Sequence, residues 1–438
     1  MFEKERILAN FCSNYYNSYI KSDDSLVDRE KLYLFTKSFY SNHIGADFER
    51  EVDPSIRESL LDPNTLLIEV AHDGQIPHLG IVRMVLKTYH ISKLLPNSLV
   101  LYFIGDHYSA DMCQESTLFG IPQMGKSSDK QKRPVVFKIG RNNQHVPLKW
   151  IDPPTEEMID DVEHKVYDWI INNIAFEKKR GNLVSDKDKV KENLKSIMEL
   201  LRTSVKVVNN YADWMIHVQY LLFKDLMEEE ANKIIFLPFS TLYELIGNEY
   251  LYALQQIKKI NQLKRDVSET QVARGLIPYQ KSKLEDNTSC FWIYCPNCKR
   301  RRRGAKLKDN RLKFECRSCG TVVEDSLDNL WNIAMPDIVG FGCALFRLGI
   351  SGWVVGSKAP YQEVIEQTYK SLYDMPMPPR FLLDNIPVFR GIGEPEEGYG
   401  RTTLLRALLE VPGETLFDAL MAPWDENPYI KSEFLVTK

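Results

Sequence analysis

The sequence predicts an α/β protein in which a parallel sheet is combined with a long helical segment and a cysteine-rich module. Two segments carry this prediction. Residues 66–110 encode a strand, a helix and a second strand, and residues 349–373 encode a further strand and helix. Between them lie amphipathic helical patterns and two closely spaced pairs of cysteines.

Composition narrows the class of protein. A chain of 438 residues is long enough for two or three domains, and its net charge of −4 provides no general attraction to nucleic acid, so any RNA contact has to be local. The first residues lack an apolar signal region and no apolar run is long enough to cross a bilayer. We therefore expect a cytoplasmic protein without membrane association. Its oligomeric state stays open.

Changes in the apolar pattern divide the chain into five expected segments. They are an N-terminal helical segment (1–60), the first half of the α/β domain (61–154), a helical insertion (155–285), a cysteine-bearing ribbon (286–328) and the second half of the α/β domain (329–438).

The most regular pattern begins at residue 66. An apolar, β-branched run at 66–71 predicts a buried strand, apolar residues at helical spacing over 79–91 predict a helix, and residues 99–104 predict the next strand. Such units form parallel sheets, which bind ligands at the carboxyl ends of their strands.

The turn after the first strand contains His72, Pro77, His78 and Gly80. An imidazole at a helix start, beside a glycine that lets a ligand approach the backbone, suits an anion such as a nucleotide phosphate. The alternative is an ordinary helix N-terminus with two surface histidines.

Polar residues also follow the second strand, where Asp106 and His107 come directly after Gly105. At the carboxyl edge of a parallel sheet these side chains are placed to bind an amino group or a ribose. A strand end that is merely capped by them is the alternative.

Residues 120–127 match the G-x-x-x-x-G-K-[ST] pattern of a phosphate-binding loop. That loop needs a buried strand before it and a helix after it, whereas residues 110–115 are polar and residues 128–134 form a charged run ending in proline. We interpret the segment as a basic surface loop, followed by a strand at 134–139.

Apolar spacing predicts that residues 155–264 are mainly helical, with a short strand-like piece at 234–238. The apolar stripes of this segment indicate helix packing rather than a cofactor site.

Cys295, Cys298, Cys316 and Cys319 form two C-x-x-C pairs separated by seventeen residues, a spacing typical of zinc ribbons. Four thiolates fill every position of a tetrahedral Zn²⁺, so we expect a structural zinc ion rather than a catalytic one. A redox dithiol and a site without metal are the alternatives.

Nine of the fifteen residues from Lys299 to Lys313 are lysine or arginine. A basic segment of this kind suits the phosphate backbone of tRNA or another RNA. The alternative is a solvated hairpin, since the segment contains none of the aromatic residues that stack on bases.

The C-terminal third repeats the strand–helix pattern. Residues 349–358 form a strand bracketed by glycines that ends in Gly356, Ser357 and Lys358, and residues 362–373 form an amphipathic helix. A glycine-rich stretch at 391–403, which includes Arg401, leads into a predicted helix at 404–410.

In their order these pieces resemble class I aminoacyl-tRNA synthetases, and most closely class I lysyl-tRNA synthetases, in patches over residues 66–430. The matching pieces are the H-(I/L)-G helix start at His78-Leu79-Gly80, the strand end at Gly105-Asp106-His107-Tyr108, the four cysteines, the glycine-flanked strand from Gly349 to Ser357, and a loop similar to K-M-S-K-S at 398–403. Residues 73–77, 105–107 and 378–380, with Gly356 and Tyr361, also resemble the cysteine-adding enzymes of bacillithiol synthesis, which are relatives of class I synthetases.

The resemblance implies a Rossmann-like sheet and an ATP-dependent ligase that activates an amino acid or related carboxylate as an adenylate, with Mg²⁺ accompanying ATP. It implies that the catalytic residues are His78, Arg401 and Lys358, which offset charge on the phosphates. The residues implied in ATP binding are His72, Pro77, His78, Gly80, Gly356, Ser357 and Arg401. Those implied in substrate binding are Asp106, His107 and Trp353.

Three departures bear on the activity. Ser351 and Gly352 stand where the family has the aspartate and histidine of a G-x-D-H element, and Arg401 with two threonines replaces the lysines of the K-M-S-K-S loop. About 35 residues follow that loop, fewer than an anticodon-binding domain requires. We therefore expect transfer to an amine or another acceptor rather than ordinary tRNA charging.

Two other functions stay open. One is a catalytically inactive synthetase paralogue that binds RNA or a protein partner through the basic ribbon. The other is a condensation of an amino acid with a sugar amine, as in bacillithiol synthesis, which differs from the first hypothesis in the acceptor.

Overall fold

A computed structural model of the protein describes most of the chain. The described residues are 2–21, 26–44, 48–73, 79–95, 97–109, 145–179, 187–279, 284–302, 305–309, 311–326, 334–355 and 359–381.

The N-terminal residues form three α-helices, as their apolar spacing predicts. These are α1 (Phe2–Tyr15), α2 (Arg29–Phe39) and α3 (Asp53–Leu61). Asp28 is the N-cap residue of α2, and its carboxylate accepts a hydrogen bond from the backbone N–H of Glu30, which satisfies one of the unpaired N–H groups of the first turn. A buried hydrogen bond of 3.0 Å between the hydroxyl groups of Tyr15 and Tyr369 joins α1 to the C-terminal part of the fold.

The predicted strand–helix–strand unit is confirmed. Strand β1 (Leu66–Asp73) is followed by helix α4 (Leu79–Ser92) and strand β2 (Ser98–Gly105), and β1 and β2 pair in parallel along their whole length. Helix α4 begins where the H-(I/L)-G pattern predicts a helix start.

Two distant segments complete a four-stranded, all-parallel sheet. Strand β3 (Ile234–Pro238) pairs with β2, and strand β10 (Ile350–Val355) pairs with β1 on its other side, so the order is β10-β1-β2-β3. A parallel bridge between Trp353 and Arg380 extends the order beyond β10. The two predicted α/β halves therefore share one sheet, and the strand order reverses direction between β1 and β10.

The segment expected to be a helical insertion also contributes to this sheet, because it contains β3. Its helices are α5 (Glu156–Lys179), α6 (Lys187–Ser204), α7 (Tyr211–Met227), α8 (Tyr243–Gln255) and α9 (Ile257–Ala273). The hydroxyl group of Tyr40 accepts a hydrogen bond from the backbone N–H of Phe236 on the outer side of β3, at 2.9 Å. An N-terminal side chain thus pairs part of the backbone that an edge strand would otherwise leave exposed.

The cysteine-bearing ribbon is made of short antiparallel strands. They are β4 (Phe291–Tyr294), β5 (Arg301–Arg302), β6 (Lys306–Lys308), β7 (Arg311–Glu315) and β8 (Val322–Ser326). Strand β9 (Ala334–Pro336), which follows the ribbon in the sequence, pairs with β4, so the two sheets are β5-β4-β9 and β6-β7-β8. Helices α10 (Ile338–Arg347) and α11 (Ala359–Tyr373) flank β10 in the sequence and pack against each other.

Glu69 lies in the middle of β1, level with Leu101 of β2 and Trp353 of β10, and is fully buried. Neither of its carboxylate oxygens has a hydrogen-bond partner of good geometry among the described residues. Burial raises the pKa of Glu69 well above its ordinary value, and the nearby backbone N–H of Val354 offsets only part of that rise.

Among the described residues, no helix combines the length and the apolar character that crossing a membrane requires. The predicted loop at 120–127, the strand at 134–139 and the glycine-rich stretch at 391–403 lie outside the described residues.

Candidate functional site

The carboxyl edge of the parallel sheet brings several predicted site residues together. His72 is the penultimate residue of β1, in register with Ile104, and Asp106 and His107 directly follow β2, so all three lie near the ends of adjacent strands. This edge is where parallel sheets bind ligands, above all where the strand order reverses.

Asp106 joins the ends of β2 and β3. One carboxylate oxygen accepts a hydrogen bond of 2.8 Å from the backbone N–H of Ser240, and the other accepts a hydrogen bond from the Ser240 hydroxyl group. Burial raises the pKa of Asp106, although the positive charge of Lys149 and the bonds from Ser240 offset part of the rise. These contacts match the alternative interpretation of Asp106, in which the carboxylate caps a strand end.

His107 is also buried at this edge. Its ring lies 4.6 Å from the ring of Tyr108 and 5.6 Å from that of Phe239, centroid to centroid. Its backbone carbonyl accepts a hydrogen bond of 3.1 Å from the hydroxyl group of Tyr294, which comes from the ribbon.

The structure does not bring Trp353 to the same place. Its register partner Glu69 is level with Leu101, five positions before Asp106, so Trp353 lies in the middle of the sheet. Its side chain is fully buried, and its indole N–H donates to the carbonyl of Pro378 at 3.0 Å. Trp353 thereby holds the chain around residue 378 against β10.

Of the remaining predicted residues, the structure describes Gly80. Gly80 is the second residue of α4. Pro77, His78, Gly356, Ser357, Lys358 and Arg401 lie outside the described residues.

A histidine–aspartate pair that the sequence did not reveal lies near this edge. His43 Nδ1 is 3.1 Å from an Asp213 carboxylate oxygen, and Asn210 donates to that same oxygen at 2.7 Å. The hydrogen bond to Asp213 raises the pKa of His43, and the charge of Asp106 adds to the effect. The sequence does contain one indication of this pair. Asn210 lies three residues before Asp213, a spacing typical of a helix N-cap, and the Asn210 side chain caps α7.

The four cysteines form the second candidate site. Their sulfur atoms all lie within 4.8 Å of one another, with Cys295 and Cys319 3.5 Å apart and Cys298 and Cys316 3.6 Å apart. A tetrahedral Zn²⁺ with Zn–S bonds of about 2.3 Å requires sulfur separations of about 3.8 Å. The cluster therefore fits one Zn²⁺, and four cysteine ligands leave no open position for catalysis.

The backbone repeats the same turn in both cysteine pairs. The residue after the second cysteine has positive φ in each case, +56° at Lys299 and +71° at Gly320, and its N–H donates to the carbonyl of the first cysteine. Hydrogen bonds from Thr321 lower the pKa of Cys319 to about 6, which favours the thiolate that binds metal.

Several basic residues of the ribbon have acidic partners. Arg311 and Lys313 both lie 3.3 Å from carboxylate oxygens of Glu324, and Lys306 lies 2.7 Å from Glu285. These pairs reduce the positive charge that the segment presents to a phosphate backbone.

The sequence was compared with models of known protein families and with curated proteins, and neither comparison found a match.

Proposed function

We propose that this protein is an ATP-dependent ligase of the class I synthetase type, which activates an amino acid or related carboxylate as an adenylate and transfers the acyl group to an amine or another acceptor. One observation carries the proposal. The segments that resemble the two synthetase halves lie side by side as β1 and β10 of one parallel sheet.

The strand order supports the same proposal. When Arg380, which is bridged to β10, is counted as the fifth segment, the order along the sheet runs fifth, fourth, first, second, third in the sequence. Rossmann-like folds have this strand order, and they bind ligands at the carboxyl ends of the strands where the order reverses, which in this chain are β1 and β10. His72 is the penultimate residue of β1, and the segments with His78 and with Gly356 and Ser357 follow β1 and β10 in the sequence.

In this proposal His78, Lys358 and Arg401 offset the charge that builds on the phosphates of ATP, with Mg²⁺ as the accompanying ion. Asp106 and His107 form the floor of the carboxylate site, and Asp106 acts by holding β2 and β3 together through Ser240. The Zn²⁺ proposed for the cysteine cluster has a structural role.

The test is exchange of labelled pyrophosphate into ATP in the presence of each amino acid in turn. We expect exchange with one or a few amino acids and a loss of at least tenfold in His78→Ala. His90→Ala, on the last turn of α4, is the matched control and should retain the exchange. Absence of exchange with every amino acid, in protein that holds its zinc, would count against adenylate formation.

One observation favours a second candidate, the inactive paralogue that binds RNA through the ribbon. Gly352, which stands in the G-x-D-H element, packs so closely on Cys12 that the position has no room for a larger side chain. This candidate predicts RNA affinity that falls steeply with salt and disappears when residues 300–303 become serine, in a protein that shows no ATP binding by calorimetry.

A further inference from the structure

The ribbon and the parallel sheet meet at Tyr294, the residue immediately before the first cysteine of the cluster. Tyr294 ends β4 and is 2% exposed. Its hydroxyl group donates to the carbonyl of His107 at 3.1 Å, which ties the ribbon to the turn that follows β2.

A cluster of aromatic and cationic side chains, formed by Tyr294, Trp150, Lys149 and Lys299, surrounds this hydrogen bond. The ring of Trp150 meets that of Tyr294 edge to face at 4.7 Å. The ammonium group of Lys149 lies 5.3 Å from the Trp150 ring and 5.5 Å from the Tyr294 ring, and that of Lys299 lies 5.4 Å from the Trp150 ring. Each of the three lysine–ring contacts is an attractive cation–π interaction.

Lys149 connects this cluster to Asp106. Its charge acts on the Asp106 carboxylate, and the backbone N–H of Leu148 donates to the carbonyl of Tyr108 at 3.0 Å. The turn at 106–109 is therefore held by residues 148–149, of which Lys149 lies over the Tyr294 ring, as well as by Ser240.

The end of β4 depends in turn on the cysteine pair. The backbone N–H of Cys295 donates to the carbonyl of Arg300 at 3.0 Å, and the backbone N–H of Lys299 donates to the carbonyl of Cys295 at 2.9 Å. These two hydrogen bonds close the turn directly beside Tyr294. Four sulfur atoms within 4.8 Å of one another repel as thiolates, and a bound cation removes that repulsion.

From these contacts we propose that metal binding at the four cysteines positions the turn at residues 106–109, and that Tyr294 is the positioning residue that links the two. The inference does not rest on the proposed ligase activity, because it concerns the coupling of a metal site to a sheet edge. Zinc-dependent order at this turn and pyrophosphate exchange can each be found without the other.

Hydrogen exchange measured by mass spectrometry tests the coupling on the full-length protein, with Zn²⁺ alone as the probe. After zinc is removed with a chelator, we expect exchange in peptides covering 104–109 and 147–151 to rise about fivefold or more, as the loss of one hydrogen bond implies. Peptides from β1 and α7 should change little.

Tyr294→Phe removes the hydroxyl group and keeps the ring. In the zinc-loaded variant, we expect hydrogen exchange at 104–109 to rise by the same factor as after zinc removal, although the zinc content is full. We also expect the affinity for zinc to weaken about fivefold, because coupling between two sites is reciprocal. Tyr252→Phe is the matched control, because it removes a tyrosine hydroxyl group that also donates to a backbone carbonyl, that of Leu372 at 3.3 Å.

Three results would overturn the proposal. They are unchanged exchange at 104–109 after zinc is lost, a rise of equal size throughout the chain, and a Tyr294→Phe variant that behaves like Tyr252→Phe. The zinc-removal experiment uses the unmodified protein, so unchanged exchange at 104–109 overturns the proposal even if Tyr294→Phe fails to fold.

Discussion

Val70 and Val354 are backbone partners in adjacent parallel strands, although one lies in the first sixth of the chain and the other in the last fifth. Their pairing unites two segments that the sequence presents as separate α/β units. It also places the point where the strand order reverses at the ends of β1 and β10. The proposed nucleotide site depends on this pairing.

The cysteine cluster makes the first prediction. Cys316→Ser removes one of four ligands, so we expect the zinc content to fall from about one ion per chain to well below that, and the unfolding temperature to drop, because metal binding contributes directly to folding. Metal analysis of the purified protein measures the content. Cys12→Ser, which changes a buried cysteine outside the cluster, should keep its zinc. Equimolar zinc in Cys316→Ser would contradict the assignment.

Gly352 makes a second prediction. A Cβ atom at this position would lie 2.6 Å from Cys12 Sγ and 2.9 Å from Phe381 Cζ, so Gly352→Ala should lower the free energy of unfolding by about 1–3 kcal/mol. Denaturation with urea measures the change. Gly342→Ala is the control, since its nearest atom would be 3.8 Å away in a helix, where alanine is preferred. Equal stability of the two variants would show that Cys12 does not pack as described.

Glu69 predicts a pH dependence of stability. Because burial raises its pKa in the folded state, the unfolded chain releases this proton at a lower pH than the folded chain does. The contribution of Glu69 to stability is therefore complete below the unfolded pKa, about 4.3, and decreases as the pH rises from there toward the folded value. Glu69→Gln should remove this decrease and increase the free energy of unfolding at pH 7 by about 1–3 kcal/mol.

Urea denaturation of Glu69→Gln and the unmodified protein between pH 5 and 8 gives the comparison. Glu58→Gln, at an exposed position on α3, controls for the loss of one negative charge. If the two variants show the same pH profile, Glu69 does not titrate as its burial implies.

His43 predicts a titration that depends on Asp213. The hydrogen bond to Asp213 raises the pKa of His43, so the stabilisation from this pair is complete below the unfolded pKa of about 6.5 and is lost as the pH rises through the folded value. Asp213→Asn should lower the pKa of His43, as measured by NMR titration. His217, whose pKa is lowered to about 4 by burial, is the internal reference, and its pKa should stay the same in this variant. An unchanged His43 titration would exclude the pairing.

The secondary structure could be predicted from the sequence where a local pattern encodes it. The period of apolar residues predicted β1, α4 and β2, and the strand-like piece at 234–238 is β3. The spacing of Cys295, Cys298, Cys316 and Cys319 predicted a cluster whose sulfur atoms do converge. Each of these features depends on residues a few positions apart, or on a ligand geometry that fixes the spacing.

The site could be predicted only in part. Asp106 was identified from its position after a strand, but its partner Ser240 and the neighbouring Lys149 were not, because more than forty positions separate either of them from Asp106. Trp353 was expected at the substrate site, and the register between β10 and β1 puts it in the middle of the sheet instead. No local pattern specifies a register between strands so far apart in the chain.

By itself, the sequence determined many of the described helices and strands and the two cysteine-bearing turns, because periodicity and ligand spacing act over a few residues. Only the tertiary structure decided which strands are neighbours, that Tyr294 reaches the carbonyl of His107, and that His43 meets Asp213. These relationships arise from packing between distant segments, where burial and shape rather than local propensity select the partner.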